Sequence, residues 1–211
     1  MVKRRSALLA RVRRLENSRV SETVVKRMGE FERNGRRKTG GVFSELCFCI
    51  LTANFTAERS IRIQKEIGGG FLTLDGRQLA GRLRGLGHRF PNTRAEYIVE
   101  SRGRRKELMT ALRSMRGPAL REWIVKNIKG VGYKEASHFL RNIGFSDYAI
   151  IDFHIIDVLV EYGLLARPKS ISRKKYLEIE GVLRGLAAGM GMSLGELDLY
   201  LWYLETGKVL K

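Results

Sequence analysis

The sequence predicts an all-α fold, and three observations support this prediction. Apolar residues recur three and four positions apart along most of the chain, as from Leu8 to Leu15, which is the spacing of one helix face. Helix-ending residues follow these stretches, for example at Gly68–Gly70 and at Pro91. Alternation of apolar and polar residues is scarce, and the short run Ala149–Ile151 indicates a buried connection rather than a strand.

The predicted helices follow one another through short loops. Several have recognisable ends: Ser193 with Glu196 three residues later is a capping-box pattern, and Gly68–Gly70 ends an earlier helix. In chain order, the predicted helices cover Leu8–Leu15, Val42–Leu51, Thr56–Ile67, Leu74–Leu86, Ala95–Val99, Glu107–Met115, Ala119–Ile128, a segment after Gly132, Ile155–Tyr162, Tyr176–Ala188 and Leu194–Thr206. The predicted loops are Asn34–Gly41, Gly68–Gly70, Gly87–Asn92, Phe145–Tyr148 and Arg167–Ser172.

The charge of the chain points to a polyanionic partner. Lysine and arginine total 40 against 22 acidic residues, for a formal net charge of +18. The basic clusters are spread along the chain, at Lys3–Arg5, Arg11–Arg14, Arg36–Lys38, Arg102–Lys106 and Arg173–Lys175. A positive field of this extent attracts polyanions, so nucleic acid is the leading predicted partner. Charge by itself leaves a ribosomal or a membrane-surface protein as alternatives.

No run of about eighteen apolar residues occurs, so no membrane span is predicted. The basic segment Met1–Arg14 lacks the apolar stretch and the cleavage site of a signal peptide. We therefore expect an intracellular protein, cytoplasmic and associated with the nucleoid of a prokaryote.

The two cysteines, Cys47 and Cys49, lie within the apolar run Leu46–Leu51. Two residues at this spacing form neither a disulfide framework nor a metal quartet, and two buried apolar side chains are the favoured interpretation. A four-cysteine iron–sulfur cluster is excluded within one chain, and no other metal or cofactor is predicted.

The segment Trp123–Arg141, WIVKNIKGVGYKEASHFLR, has the pattern of a helix-hairpin-helix. Gly130 and Gly132 let the backbone turn sharply and approach a ligand closely. Amides at the start of the second helix can then face a DNA phosphate. A lone Gly-x-Gly is also typical of an ordinary helical turn, but here the flanking apolar positions and the small Ala136 favour binding to a phosphate backbone.

Two lysines flank this hairpin. Lys129 precedes it and is interpreted as a phosphate contact. Lys134 falls in the first turn of the second helix, where the positive helix end, desolvation and the basic surroundings favour the neutral amine, which is a nucleophile. Further along the chain, Asp152 follows an apolar run at the start of a helix, where it can serve as a cap, as a catalytic carboxylate, or as both. His154 is either a packed histidine or a phosphate contact.

At this point the sequence resembles the helix-hairpin-helix DNA glycosylases, and within them the archaeal-type 8-oxoguanine DNA glycosylase/lyases. The resemblance spans nearly the whole chain, in Glu45–Glu66, Leu86–Phe90, Arg94–Val99, Asn127–Gly144, Ile150–His154 and Ser193–Lys211. It implies Lys134 as the catalytic lysine and Asp152 as the catalytic aspartate. It also implies two helical lobes with the hairpin at their junction, residues 25–147 (hairpin about 119–141) and residues 1–24 with 148–211, and no iron–sulfur cluster.

The resemblance further implies a base pocket and a substrate. Its candidate residues for base recognition or contact with the opposite base are Phe90, Arg89, Trp202, Lys211, Gln64 and Asn54, with Trp202 equally compatible with a core position. The implied partner is double-stranded DNA containing 8-oxoguanine, bound by a monomer that flips the damaged nucleotide out of the stack. Lys134 would then form a Schiff base with the sugar and nick the strand by β-elimination.

Two rival functions stay open on the sequence. A monofunctional glycosylase would use Asp152 to activate water, and a non-enzymatic hairpin module would only hold DNA for a partner. An RNA-binding ribosomal protein is a third and more distant alternative.

Overall fold

The computed structural model describes residues 2–211, with side chains from Arg4 onward. Met1 and the side chain of Lys3, which belongs to the predicted cluster Lys3–Arg5, lie outside the described residues. Within the described part, the chain forms thirteen helices and no strand, so the all-α prediction is confirmed. The helices are α1 Val2–Glu16, α2 Arg19–Gly35, α3 Thr39–Thr52, α4 Ala57–Ile67, α5 Gly70–Thr73, α6 Gly76–Gly85, α7 Pro91–Gly103, α8 Arg105–Ser114, α9 Gly117–Asn127, α10 Tyr133–Asn142, α11 Phe153–Glu161, α12 Arg173–Met190 and α13 Leu194–Thr206.

The chain divides into two compact units. One contains the residues up to Glu32 together with Gly144–Lys211, and the other is Arg33–Ile143. The lobe boundaries implied by the family resemblance stay a prediction. Across the described residues, no helix combines the length and the apolar character needed to cross a membrane.

Helix α3 forms the centre of the unit Arg33–Ile143. Its residues Leu46–Leu51 have no exposed surface, and the helix packs against α4, α7, α8 and α10. A helix that is apolar on every side has to be surrounded by others, and α3 meets that condition. Cys47 and Cys49 are both fully buried here, which confirms their interpretation as core side chains. Burial raises the pKa of the Cys47 thiol well above its usual value.

In the other unit, helices from the beginning and the end of the chain pack together. Helix α11 packs on α13, and α1 contacts both α12 and α13. Arg5 donates a hydrogen bond to the Gly185 carbonyl, and Arg11 donates to the Tyr162 hydroxyl, each over 2.8 Å. The Ser193 hydroxyl accepts the Glu196 N–H over 3.1 Å, as the capping pattern predicts.

Three predicted loops are shorter than expected, one of them Gly68–Gly70, where the short helix α5, which was not predicted, begins at Gly70. Helix α2 was not predicted, and it runs into the predicted loop Asn34–Gly41, while α3 already begins at Thr39. The buried apolar residues Val24 and Phe31 lie two turns apart in α2 among polar neighbours, so its apolar pattern is sparse.

The predicted loop Gly87–Asn92 is wrong at its end, because Pro91 is the first residue of α7. The first residue of a helix has no intrahelical acceptor for its N–H, so proline is tolerated there and its fixed φ favours the helix. Proline therefore begins a helix at the position where the sequence pattern predicted a break.

Candidate active site

The predicted hairpin is present, and its two glycines have different conformations. It joins α9 to α10 through residues 128–132. Gly130 has a left-handed φ of 75°, and a Cβ placed on it would lie 2.1 Å from the Cδ2 atom of Tyr97. Gly132 has a φ of −90° and a ψ of −170°, which any residue can adopt, and a Cβ there would meet only the Oε2 atom of Glu135, at 3.2 Å. The sharp turn therefore depends on Gly130 alone.

The hairpin is fixed from behind by buried side chains. Ile128, Val131 and Ala136 are buried, as the motif predicts. The guanidinium of Arg121, itself 2% exposed, lies 5.1 Å from the centre of the Tyr133 ring at the start of α10. These contacts hold the first turn of α10 in a defined place.

Lys134 lies in that first turn and is partly exposed, at the position predicted for it. Its Nζ atom is 3.5 Å from Oε1 of Glu135. The other oxygen of the same carboxylate, Oε2, accepts the backbone N–H of Gly132 over 3.2 Å. Glu135 thus connects the hairpin backbone to the predicted nucleophile, and a DNA phosphate at the Gly132 amide would compete with this carboxylate.

Lys129 is exposed and paired with two carboxylates of α7. Its Nζ atom lies 2.8 Å from Glu96 and 3.0 Å from Glu100. Hydrogen bonds to Glu96 and Glu100 raise the pKa of Lys129 well above its usual range. A phosphate that binds Lys129 therefore has to share or replace these partners.

The turn between α6 and α7 carries Arg89 and Phe90, two of the predicted base contacts. Arg89 is exposed, while the Phe90 ring is half-buried and lies 5.1 Å from the guanidinium carbon of Arg89. His88, in the same turn, is only 4% exposed because its imidazole reaches the carbonyl of Leu51. Burial lowers the pKa of His88, and the charge of Arg94 acts in the same direction.

The remaining predicted contacts of this unit are Asn54 and Gln64. Asn54 is exposed and has a left-handed φ of 57° in the turn after α3. The Gln64 amide nitrogen donates to the Ser44 carbonyl over 2.9 Å and lies 3.2 Å from Oε1 of Glu45. The donor end of Gln64 therefore ties α4 to α3.

In the other unit, Asp152 is the N-cap of α11. Its Oδ1 atom accepts the N–H of Ile155 over 3.0 Å, so the capping role is confirmed. His154 lies in the first turn of the same helix, and the centre of its ring is 4.7 Å from that of Trp202. Trp202 and the terminal Lys211 are both half-buried. His154 and Trp202 thus contact each other within this unit, and Asp152 lies two residues before His154 in the chain.

Comparison with known proteins places the chain in a family. The family model described as 8-oxoguanine DNA glycosylase matches residues 24–192. The chain belongs to the 8-oxoguanine DNA glycosylase family. The resemblance inferred from the sequence is thereby confirmed.

Relatives of this glycosylase family member cover almost its whole length. A protein of Korarchaeum cryptofilum named 8-oxoguanine DNA glycosylase/AP lyase is 55% identical over 202 residues, which are 95% of this chain and 96% of that protein. The crystal structure of Methanocaldococcus jannaschii 8-oxoguanine glycosylase/lyase, in complex with 15mer DNA containing 8-oxoguanine, has a TM-score of 0.94 at 50% identity and covers 97% of this chain and all of that one. The 8-oxoguanine DNA glycosylase of Thermotoga maritima has a TM-score of 0.91 at 45% identity, with coverage of 98% and 100%.

The structure also reveals a candidate DNA-contacting residue of this glycosylase family member that the sequence did not indicate. Phe153, directly after Asp152, is 75% exposed. Four isoleucines close to it in the chain, Ile150, Ile151, Ile155 and Ile156, are all buried, so the sequence around Phe153 gives no sign of its exposure. Among the described residues, no group of three or more His, Cys, Asp or Glu side chains is arranged to hold a metal ion.

Proposed function

We propose that the protein removes 8-oxoguanine from DNA and then cleaves the strand by β-elimination through a Schiff base on Lys134. The observation that carries this proposal is the position of Lys134 in the first turn of α10, directly after a helix-hairpin-helix turn. Support also comes from relatives of nearly full length, which bear the name 8-oxoguanine DNA glycosylase/AP lyase.

Base removal begins with flipping, because the reacting sugar carbon cannot be reached inside the stack. Unstacking a nucleotide costs on the order of a few kcal/mol. The net charge of +18 and the hairpin backbone offset this cost by attraction to phosphates. The lesion carries a hydrogen on N7 that guanine lacks, so a single acceptor aimed at that hydrogen discriminates by about 1–3 kcal/mol.

Lys134 then acts as the nucleophile. The lone pair of its Nζ atom forms a bond to C1′ while the bond from C1′ to the base breaks, and the base leaves with the bonding electrons. Opening of the sugar ring breaks the bond from C1′ to O4′, the ring oxygen takes up the proton that Nζ gives up, and the C1′–Nζ bond becomes the double bond of a Schiff base. Loss of a proton from C2′ and rupture of the C3′–O bond then release the 3′ phosphate, which nicks the strand.

Asp152 supplies a negative charge to the same reaction. Capping α11 uses one oxygen of its carboxylate, Oδ1, and an ionised carboxylate has about four lone-pair sites. It therefore retains capacity to stabilise the positive charge that develops on the sugar, or to accept a proton from the lysine amine.

The other predicted residues are proposed to bind DNA around the reacting nucleotide, as a monomer on double-stranded DNA in the cytoplasm. Phosphate contacts are assigned to Lys129, Gly130, Gly132 and His154. Contacts to the lesion or to the opposite base are assigned to Phe90, Arg89, Trp202, Lys211, Gln64 and Asn54.

Borohydride trapping tests the proposal directly, because it reduces a Schiff base to a stable covalent adduct. The wild-type protein should give an adduct with a duplex containing 8-oxoguanine, and K134Q should give none while still binding the duplex. Lys126, an exposed lysine at the end of α9, offers a matched control, since K126Q should trap DNA like the wild type.

Other outcomes of this assay identify the rival functions. Base release without an adduct or a nick would indicate a monofunctional glycosylase. Salt-sensitive binding without release of any base would indicate a DNA-holding module. An undiminished adduct in K134Q would exclude Lys134 as the nucleophile.

A further inference from the structure

His88 lies buried between two backbone segments, and both of its ring nitrogens are used. Its Nε2 atom is 3.0 Å from the carbonyl oxygen of Leu51, at the end of α3. Its Nδ1 atom accepts the backbone N–H of Phe90 over 3.0 Å. A carbonyl can only accept and an amide N–H can only donate, so these partners require a neutral imidazole with its hydrogen on Nε2.

A second contact joins the same two segments. Arg94, on α7, donates from Nη2 to the carbonyl of Ala53 over 2.6 Å, and its guanidinium carbon lies 5.7 Å from the centre of the Phe90 ring. The ring of Phe55 stacks on His88, with 4.3 Å between the ring centres. The end of α3 and the loop after it are therefore held against the turn before α7 and the start of α7, next to Phe90.

We propose that His88 is a positioning residue that holds the backbone of Phe90, so that the Phe90 ring stands against the base opposite the lesion. This inference rests on the proposed function, which assigns Phe90 to the DNA duplex. The hydrogen bond from the Phe90 amide fixes that residue directly before α7, where its φ of −128° and ψ of 61° lie outside the helix. Loss of the imidazole leaves the side chain of Phe90 in place and its carbonyl bonded to the Arg94 N–H over 3.1 Å, but it removes the partner of the Phe90 amide.

A double-mutant cycle tests this inference, with single-turnover base release as the readout. H88L fills the same space without hydrogen bonds, and it should release 8-oxoguanine from a duplex about tenfold more slowly, as expected for the loss of a buried hydrogen bond. H88Q can donate to Leu51 and accept from Phe90, and it should recover most of the rate. In an F90A background, H88L should have no further effect, because the two residues act as one unit.

The substrate gives a second readout that a general loss of stability would not produce. A single-stranded oligonucleotide carrying 8-oxoguanine has no opposite base, so the ratio of wild-type to H88L rates should be close to one on that substrate. Asn92 is a matched control. It lies on α7, two residues after Phe90, and its exposed side chain accepts a hydrogen bond over 2.9 Å from Arg84 of α6. N92A should release the base at the wild-type rate on both substrates.

Three results would overturn the inference: equal slowing of H88L on duplex and single strand, additive effects of H88L and F90A, or H88Q as slow as H88L. If the wild-type protein releases no 8-oxoguanine from either substrate, the proposed function itself fails, which is a different result from any of these.

Discussion

Replacing Gly130 by alanine tests whether the hairpin depends on one glycine or on two. Gly130 has a φ of 75°, and its added Cβ would lie 2.1 Å and 2.4 Å from two ring carbons of Tyr97. The ring is half-buried on α7, so it has little freedom to move away. Gly132 in the same Gly-Val-Gly turn meets neither obstacle.

The destabilisation by G130A follows from two costs. A left-handed conformation costs an L-residue about 1–2 kcal/mol. Forcing a methyl group against a packed ring costs about 1–3 kcal/mol. We therefore expect a loss of about 3 kcal/mol, which for a protein of this size lowers the Tm by about 6–12 °C. G132A should cost less than about 1 kcal/mol, because only the flexible end of Glu135 has to shift.

Calorimetric melting and urea unfolding of the two variants measure this difference. The double variant Y97A/G130A should recover the part of the loss that comes from the ring contact. DNA affinity provides the complementary readout. Because Gly132 is assigned to a phosphate contact, the methyl group added by G132A should weaken DNA binding. Equal destabilisation by G130A and G132A would refute the reasoning, as would a failure of Y97A to reduce the effect of G130A.

Three further predictions concern the unit formed by the residues up to Glu32 together with Gly144–Lys211. D152N should slow base release while keeping stability, because asparagine caps helices as well as aspartate, whereas D152A should also lose about 1 kcal/mol in urea unfolding. F153A should leave stability within about 0.5 kcal/mol, because the ring is 75% exposed, and should weaken DNA binding about tenfold by the loss of an aromatic contact. Burial and the nearby Glu16 raise the pKa of Glu196, so the folded state binds more protons than the unfolded state and the free energy of unfolding should fall as the pH rises above 4.5. E196Q should remove this fall when urea unfolding is compared at pH 4 and pH 7.

Each of these predictions has a result that contradicts it. Unchanged base release by D152N would leave Asp152 as a helix cap only. Val25, which is 67% exposed on α2, provides the control for Phe153. An equal loss of DNA affinity in V25A and F153A would contradict a specific contact between the Phe153 ring and DNA. An advantage of E196Q that is the same at both pH values would contradict the pKa argument.

The features predicted correctly from the sequence arise from contacts within short segments. The helical class follows from apolar spacing, and the burial of α3 follows from a run that is apolar on every side. The cap at Asp152 and the hairpin at Gly130 depend on residues within a few positions of each other, so their patterns can be read directly. The same local rules placed Lys134 in the first turn of α10.

The tertiary structure alone decided how these residues are surrounded. Lys129 is paired with Glu96 and Glu100 on another helix, and no spacing rule links those positions. His88 is buried because it reaches the carbonyl of Leu51, 37 residues earlier, although its own segment has the composition of an exposed turn. Sequence periodicity reports the contacts that a helix makes with its own next turn. Residues that meet only when distant helices pack leave no periodic signal in the sequence. The sequence by itself therefore identified the hairpin and its lysine, whereas only the tertiary structure identified the residues that hold the hairpin in place.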